Sequence, residues 1–289
     1  MILQYITWNV KPQIFDFGSF EIRWYSLLFA TGFILGYIIL GKIFKKEGLP
    51  IELLDRLTIY VVVGTIIGAR LGHCLFYEPE VYLKHPLKMI LPWEGTIGKD
   101  FRFTGYQGLA SHGGAIGILI ALYLFVRKTK KPYLWTLDRV VIVTALGGFF
   151  IRMGNLMNSE VYGVQTDLPW GFKFMREALY GVPVSEIVPK HPTQIYEGLA
   201  YLIVFFILLY LYNKKPKDQP HGLYFGLFLV LVFTARFFIE FVKEDQVAFE
   251  NGMPLNMGQI LSIPFVLTGF IILYYYTKKK KTIASTQQE

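Results

Sequence analysis

The chain has 289 residues, of which 53% are hydrophobic, 17% aromatic and only 17% charged, with a formal net charge of +8 and a single cysteine. It is too apolar for an ordinary soluble domain and too aromatic for a disordered chain. One cysteine excludes a disulfide framework and a cysteine-ligated zinc or iron–sulfur site, while the positive charge raises a nucleic-acid reading that only its distribution can settle.

The first nineteen residues contain Lys11, Pro12 and Asp16 and lack a basic start followed by an apolar run. No cleavable signal peptide is expected, and the first span serves as the insertion signal. Stretches long enough to cross a hydrocarbon core of about 30 Å as helices follow at 24–41, 57–77, 108–126, 134–157, 195–212, 222–242 and 257–277. The run 199–212 is the most apolar; the third and fourth stretches are broken by His112, Asp138 and Arg152. The long connections 78–107 and 158–193 mix Pro, Gly, Trp and charges, as in Pro92-Trp93-Glu94-Gly95, and read as small folded head segments. The expected architecture is an all-α polytopic membrane protein with seven transmembrane helices, a single integral-membrane domain over 1–289.

Alternate connections separate by charge. Segments 42–56, 127–139, 213–221 and 278–289 hold 16 Lys and Arg in 49 residues, whereas 1–23, 78–107, 158–193 and 243–256 hold 10 in 103. The denser set is cytoplasmic by the positive-inside rule. The N-terminus and both long connections are then outside, and the Lys278–Lys281 tail is inside. Counting acids, the inner set nets +10 and the outer set −3. The excess charge is therefore an orientation signal matched to anionic membrane lipid, and no nucleic-acid partner is expected.

Arg70, Arg152 and Arg236 fall inside spans two, four and six. At about 1.5 Å per residue they lie about 20, 27 and 21 Å from the inner starts of those spans. Tyr25, His112, Gln194, Tyr196 and Glu197 open spans that start outside, and Glu240 closes span six near the same level. Polar groups from six spans thus converge on one outer layer; Asp138, at the inner start of span four, is the exception. A lone Arg near a helix end can snorkel to water without further role. Three Arg with a His and two Glu at one depth point instead to a site.

Spacing adds geometry. Arg236 and Glu240 are i and i+4, and Arg152 and Asn155 are i and i+3, so each pair shares a helix face. The stretch after Arg152 carries Asn155, Asn158 and Glu160 out of the membrane, and Gly147-Gly148 and Gly154 permit close helix approach or a break. Arg can fork onto phosphate oxygens, Asn and Gln can bind hydroxyls, and His carries protons at neutral pH. The set suits an anionic headgroup, with Arg70, Arg152, Asn155, Asn158, Glu160, Gln194, Tyr196 and Glu197 as candidate binding residues. No HExxH, carboxylate-rich helix pair or phosphate-binding glycine loop is present, so neither a metal nor a nucleotide is implied. Cys74, one turn after Arg70, is either a small residue at a helix contact or a cation-activated thiol. His73, His85 and His221 read as loop or helix-end residues, and His191 with Pro192 as shaping the start of span five.

The stretch Gly148-Phe-Phe-Ile-Arg-Met-Gly-Asn-Leu-Met-Asn-Ser-Glu-Val-Tyr-Gly163 resembles the signature of the prolipoprotein diacylglyceryl transferase family, usually GRIGNFINGELYG. Three further blocks fit in order: Ser111-His-Gly-Gly114, His191-Pro-Thr-Gln-Ile-Tyr-Glu197 (usually HPSQLYE) and Arg236-Phe-Phe-Ile-Glu-Phe-Val-Lys243 (usually RFxxEFFR). Gly68-Ala-Arg-Leu-Gly72 and Arg23-Trp-Tyr-Ser26 also fit. The resemblance implies a seven-span enzyme of the bacterial cytoplasmic (inner) membrane, working toward the external side. Such enzymes move the diacylglyceryl group of phosphatidylglycerol onto the thiol of a prolipoprotein's lipobox cysteine. A thioether forms, glycerol-1-phosphate leaves, and no cofactor is needed. By motif position the family's essential residues fall on Tyr25, His112, Arg152, Asn155, Glu160, Gly163, Arg236 and Glu240, and Asp138 matches a family acid. This chain departs from the pattern at Phe149-Phe150-Ile151, where small residues are usual, and at Ser159, where Gly is usual. It also departs at Thr234-Ala235 and at Glu244-Asp245-Gln246.

On this reading His112 either is the base or binds and orients the lipid, Arg152 and Arg236 hold the phosphate, Glu240 orients Arg236, and Tyr25 completes the catalytic set. Glu160 with Asn155 orders the exit of span four. Two readings from other classes stand beside it: a transporter or channel for an anionic solute using the same Arg layer, and an acyltransferase working through Cys74.

Overall fold

The computed structural model describes residues 5–17, 21–91, 93–94, 102–103, 108, 110–214, 220–245, 250 and 252–286. Most of the expected head segment 78–107 beyond residue 91, parts of connections 213–221 and 243–256, and the last three residues lie outside the described set.

Helices dominate. The long ones are α1 (Trp24–Lys46), α2 (Ile51–Phe76), α5 (Ser111–Thr129), α6 (Tyr133–Asn158), α7 (Thr193–Lys214), α8 (Leu223–Ile239) and α9 (Met257–Thr286); α3 (Pro79–Tyr82) and α4 (Leu87–Ile90) are single turns after α2. Among the described residues six helices are long and apolar enough to cross a membrane: α1, α2, α6, α7, α8 with its 3-10 extension to Val242, and α9. Large apolar side chains such as Ile34, Phe206 and Ile203 stand 58–60% exposed on them, a surface that suits lipid rather than water. The chain is therefore a polytopic membrane protein. At the third expected span, α5 opens with Ser-His-Gly-Gly and closes on Arg127 and Lys128, leaving twelve uncharged, mostly apolar residues between.

Several helices outrun the apolar stretches that mark them. α1 continues past Gly41 through Lys45 and Lys46, whose charges favour a helix C-terminus. α9 likewise runs into the lysine tail. The expectation is an all-α membrane protein with small folded external segments; among the described residues, three short two-stranded sheets accompany the helices. β1 (Ile6–Trp8) pairs in parallel with β6 (Phe172–Phe174), β2 (Gln13–Asp16) with β3 (Glu21–Arg23), and β4 (Trp93–Glu94) with β5 (Arg102–Phe103), the last two antiparallel. The N-terminal segment thus joins the 158–193 connection in one small head. Phe172, Phe174 and Leu156 are its buried core, covered by Trp8, Tyr162 and Ile195. The Trp8 indole donates to the Leu156 carbonyl at 3.0 Å.

The chain clusters into two compact units: residues 1–40 with 137–289, and residues 41–136. In the first, α8 packs chiefly on α9 and then on α7. Asp138, buried on α6, accepts from the Gly222 amide at 2.7 Å and the Phe225 amide at 2.8 Å. It caps α8 from a neighbouring helix, where a carboxylate meets the positive end of the helix dipole. In the second unit, α2 packs on α5 through Gly64, Gly68 and Gly72 against Gly113 and Gly117. A Cβ at Gly68 would fall on the Gly113 carbonyl, and one at Gly72 would lie 2.7 Å from the Gly113 Cα. Only glycine lets these backbones meet.

Candidate functional site

In the first unit the ends of five helices meet: the start of α1, the end of α6, the starts of α7 and α9, and the end of α8. The α6 terminus sets the geometry. Arg152 and Asn155 are one turn apart, and an Arg152 Nη donates to Asn155 Oδ1 at 3.3 Å. Asn155 Nδ2 donates onward to Glu160 Oε1 at 2.8 Å, and Asn158 Nδ2 reaches the same oxygen at 3.2 Å. For Glu160 to turn back on its own helix, Ser159 and Val161 adopt φ of 53° and 62°, costly for side-chain-bearing residues and most of all for a β-branched one. The first turn of α7 holds this reversal in place. Gln194 Nε2 donates to the Glu160 carbonyl at 2.7 Å, and Thr193 Oγ1 to the Val161 carbonyl at 2.9 Å.

Behind this turn runs a row of alternating charges. Arg152 Nε lies 2.9 Å from Glu197 Oε2, Glu197 Oε1 lies 3.6 Å from Lys243 Nζ, Lys243 Nζ lies 3.0 Å from Glu240 Oε1, and that oxygen lies 3.4 Å from Arg236 Nε. Glu197 has no exposed surface and the Lys243 side chain only 1%. The two guanidinium groups at the ends are the open members, with side chains 14% and 29% exposed. Asn256 steadies Glu240 with its amide, 3.3 Å from Oε2. Asn256 is itself placed by a reciprocal cap on α9, its Oδ1 accepting from the Gln259 amide at 2.9 Å while Gln259 Oε1 accepts from the Asn256 amide at 3.0 Å. Gly258 admits the Glu240 carboxylate where any Cβ would overlap it. Tyr201, buried on α7, lies within electrostatic reach of both Arg152 and Arg236.

Tyr25 packs its ring against Gly154, where a Cβ would come within 2.6 Å of Cδ2, and lies within electrostatic reach of Arg152 and Glu160. Gly148 likewise faces Tyr201. α6 runs unbroken past Gly147, Gly148 and Gly154, so no break occurs; close approach occurs at Gly148 and Gly154, whereas a Cβ at Gly147 would meet nothing within 4 Å. Gly163 forms an antiparallel bridge with Lys243, and its amide donates to the His191 carbonyl at 2.8 Å. Any side chain there would collide with the Val242 carbonyl and crowd His191 and Thr193.

The head closes over this end of the unit. Lys190 Nζ lies 2.7 Å from both Glu177 Oε1 and Glu244 Oε1 and 4.4 Å above the Tyr162 ring. Burial pulls the Lys190 pKa down, but the two carboxylates outweigh it and hold it above the ordinary value. Burial, and then the hydrogen bond with Glu177, pushes the Tyr162 phenol upward. The Trp170 indole donates to the Tyr196 hydroxyl at 2.9 Å, and that hydroxyl meets His191 Nδ1 at 3.2 Å. Tyr196 is thus engaged with the head, and burial lowers the His191 pKa.

Two expected site residues lie in the second unit. His112 stands exposed in the first turn of α5. Arg70 is buried; it donates to the Lys88 and Met89 carbonyls at 2.8 and 3.1 Å, and its guanidinium lies 4.8 Å from the Tyr82 ring centroid. It therefore ties α2 to the turns that follow it. Cys74 is fully buried, as a helix-contact residue would be.

A sequence profile described as prolipoprotein diacylglyceryl transferase matches residues 12–275. A Bacteroides fragilis protein named phosphatidylglycerol–prolipoprotein diacylglyceryl transferase is 45% identical over 273 residues, covering 94% of this chain and 96% of its own. Proteins of the same name from Tolumonas auensis and Chloroherpeton thalassium are 46% and 41% identical, covering 92% and 93% of this chain and 95% and 94% of theirs. The chain belongs to the prolipoprotein diacylglyceryl transferase family.

The diacylglyceryl transferase signature now has a physical reading. Its Asn and Glu form the reversal after α6, its final Gly seats the segment after α8, and its Arg begins the charge row. The usual Gly before the Glu corresponds to Ser159, the site of positive φ. Family membership sets aside the transporter reading. Lys243, Tyr201, Asn256 and Thr193 were not singled out by sequence. Lys243 did carry a signal, three residues beyond Glu240 and on the same helical face. By position it falls in the expected external connection 243–256.

Proposed function

We propose that this chain transfers the diacylglyceryl group of phosphatidylglycerol to the lipobox cysteine of prolipoproteins, releasing glycerol-1-phosphate. The activity is the one that its relatives' names state. The observation that carries the site assignment is the pair of partly open guanidinium groups, Arg152 and Arg236, at the ends of a buried charge row. The five charges of that row sum to +1, which matches a monoanionic phosphodiester.

In the proposed reaction the cysteine sulfur attacks C3 of the diacylglyceryl group. The new C–S bond forms as the C–O bond to phosphate breaks, and the phosphate oxygen keeps the electron pair. Arg152 and Arg236 grip the phosphate and stabilise that growing charge, a contribution of about 2.7–4 kcal/mol per donor in comparable sites. Glu197 and Glu240 aim the two arginines. Asn155, Asn158, Glu160, Gln194 and Tyr25 shape the glycerol side of the pocket, with Tyr196 and Gly163 holding the head above it. Removal of the thiol proton is assigned to His112 on motif position alone. Arg70 ties α2 to the turns that follow it.

The proposed setting is the bacterial inner membrane, with α5 as the seventh span of one integral-membrane domain, the N-terminus outside, the C-terminus cytoplasmic and the site on the external side. The decisive experiment incubates purified protein with phosphatidylglycerol and a lipobox peptide. Mass spectrometry should find a diacylglyceryl mass on cysteine and glycerol phosphate in solution. An unmodified peptide with correctly folded protein would reject the assignment.

A further inference from the structure

The charge row is symmetrical about one residue that the proposed reaction does not use. Lys243 follows the 3-10 turn that ends α8 and is 4% exposed. Its ammonium lies 3.0 Å from Glu240 and 3.6 Å from Glu197. Those carboxylates are the partners of Arg236 and Arg152 respectively. One buried cation therefore joins the two acids that aim the two arginines.

We infer that Lys243 is a positioning residue that makes the site selective for a phosphodiester-bearing lipid; this rests on the phosphate-gripping role given above to Arg152 and Arg236. Without Lys243 the row collapses to two self-satisfied pairs, Arg152 with Glu197 and Arg236 with Glu240, and the net charge falls from +1 to 0. Each guanidinium is then fully claimed by its own carboxylate and offers less to a bound phosphate. With Lys243 present, both carboxylates are shared, and the arginines keep donor capacity for ligand. A second consequence is spacing. Glu197 belongs to α7 and Glu240 to the end of α8, so the ammonium draws the two helix ends together and fixes the separation of the guanidiniums.

The backbone places this ammonium through the head. Val164 donates to the Val242 carbonyl at 3.0 Å and Glu244 to the Tyr162 carbonyl at 3.3 Å, on either side of the Gly163–Lys243 bridge. The closing glycine of the signature is thus the seat of Lys243. The side chain is too enclosed to touch substrate, so its effect must pass through Glu197 and Glu240.

The test compares wild type, Lys243→Met and Lys243→Arg, all purified in detergent and checked by thermal unfolding. Binding of phosphatidylglycerol and of uncharged diacylglycerol is measured beside the transfer assay. Lys243→Met is expected to weaken phosphatidylglycerol binding at least tenfold, leave diacylglycerol binding within about twofold, and raise KM more than it lowers kcat. Lys243→Arg should recover binding to within about threefold. The double variant Lys243→Met/Glu197→Gln, which restores the net charge, should bind phosphatidylglycerol more tightly than Lys243→Met alone. Equal losses for both lipids, or a Lys243→Arg variant as impaired as Lys243→Met at equal thermal stability, would overturn the inference. Because lipid binding is read without the acceptor peptide, an inactive wild type that still prefers phosphatidylglycerol would reject the transfer reaction and leave this role standing.

Discussion

Arg152 and Glu197 meet at 2.9 Å between α6 and α7, and Glu197 has no exposed surface at all. A carboxylate so placed needs its cation, since removing one partner of a buried pair leaves an uncompensated charge. The same contact turns the guanidinium toward the open side of the site. Stability and function are therefore separable here by the choice of substitution.

Arg152→Ala should destabilise the protein by about 3 kcal/mol and abolish transfer, because it strands Glu197 with only the longer contact to Lys243. Arg152→Lys keeps the charge but loses the planar fork. It should unfold within a few degrees of wild type yet turn over about 10²–10³-fold more slowly. Thermal unfolding and the lipobox-peptide assay, run on both variants, separate the two effects.

Gly163→Ala places a methyl group against the Val242 carbonyl and the His191 and Thr193 side chains. The segment after α8 must retreat, at a cost of at least about 1–3 kcal/mol. Activity should fall further than stability explains, because Lys243 moves with that segment. A variant with wild-type kinetics would show that the close fit is unimportant.

Ser159→Gly is expected to stabilise the fold by about 1 kcal/mol, since Ser159 holds φ at 53° and its buried hydroxyl has no hydrogen-bond partner among the described residues. The gain should appear as a higher midpoint of thermal unfolding with transfer unchanged.

Gly68→Leu and Gly117→Leu each force α2 and α5 apart. Backbone-to-backbone contact leaves no room even for a methyl at either position. Losses of at least about 1–3 kcal/mol are expected from each. Gly48→Ala, with open space around its Cβ, tests backbone strain alone, its φ being 71°.

His191 lies before α7, and burial lowers its pKa below the usual 6.5. Its neutral form is the one that can accept the Tyr196 hydroxyl at Nδ1, while Trp170 donates to that hydroxyl from the other side. The contribution to stability is fully present above pH 6.5 and is lost as pH falls through the lowered folded value. Wild type should therefore lose thermal stability on acidification more steeply than His191→Asn. Parallel curves would exclude the imidazole as the titrating group.

Sequence reasoning reached the helices because each has to be apolar for lipid, and it reached Arg152–Asn155 and Arg236–Glu240 because helical spacing alone puts those pairs on shared faces. It underestimated helix lengths where lysines continue α1 and α9, since hydropathy marks the apolar core of a helix and not its hydrogen bonds. It missed the sheet of β1 with β6 because the two strands are three residues each and far apart in sequence, with no alternation long enough to read. Lys243 escaped for a different reason. A lysine beyond a helix end ordinarily faces water, and this one is turned inward by the bridge to Gly163 and by its ion pairs with Glu240 and Glu197. Depth alone puts Arg70 in the headgroup layer; its bonds to the Lys88 and Met89 carbonyls are contacts that hydropathy does not register.

The cap that Asp138 provides at Gly222 bears on how the site can open. α8 is tethered at one end by that carboxylate and at the other by Glu240, which Asn256 and Lys243 hold. A slide of α8 along its axis would have to break both sets of contacts at once, so the height of Arg236 along that axis is coupled to a carboxylate at the far end of the helix.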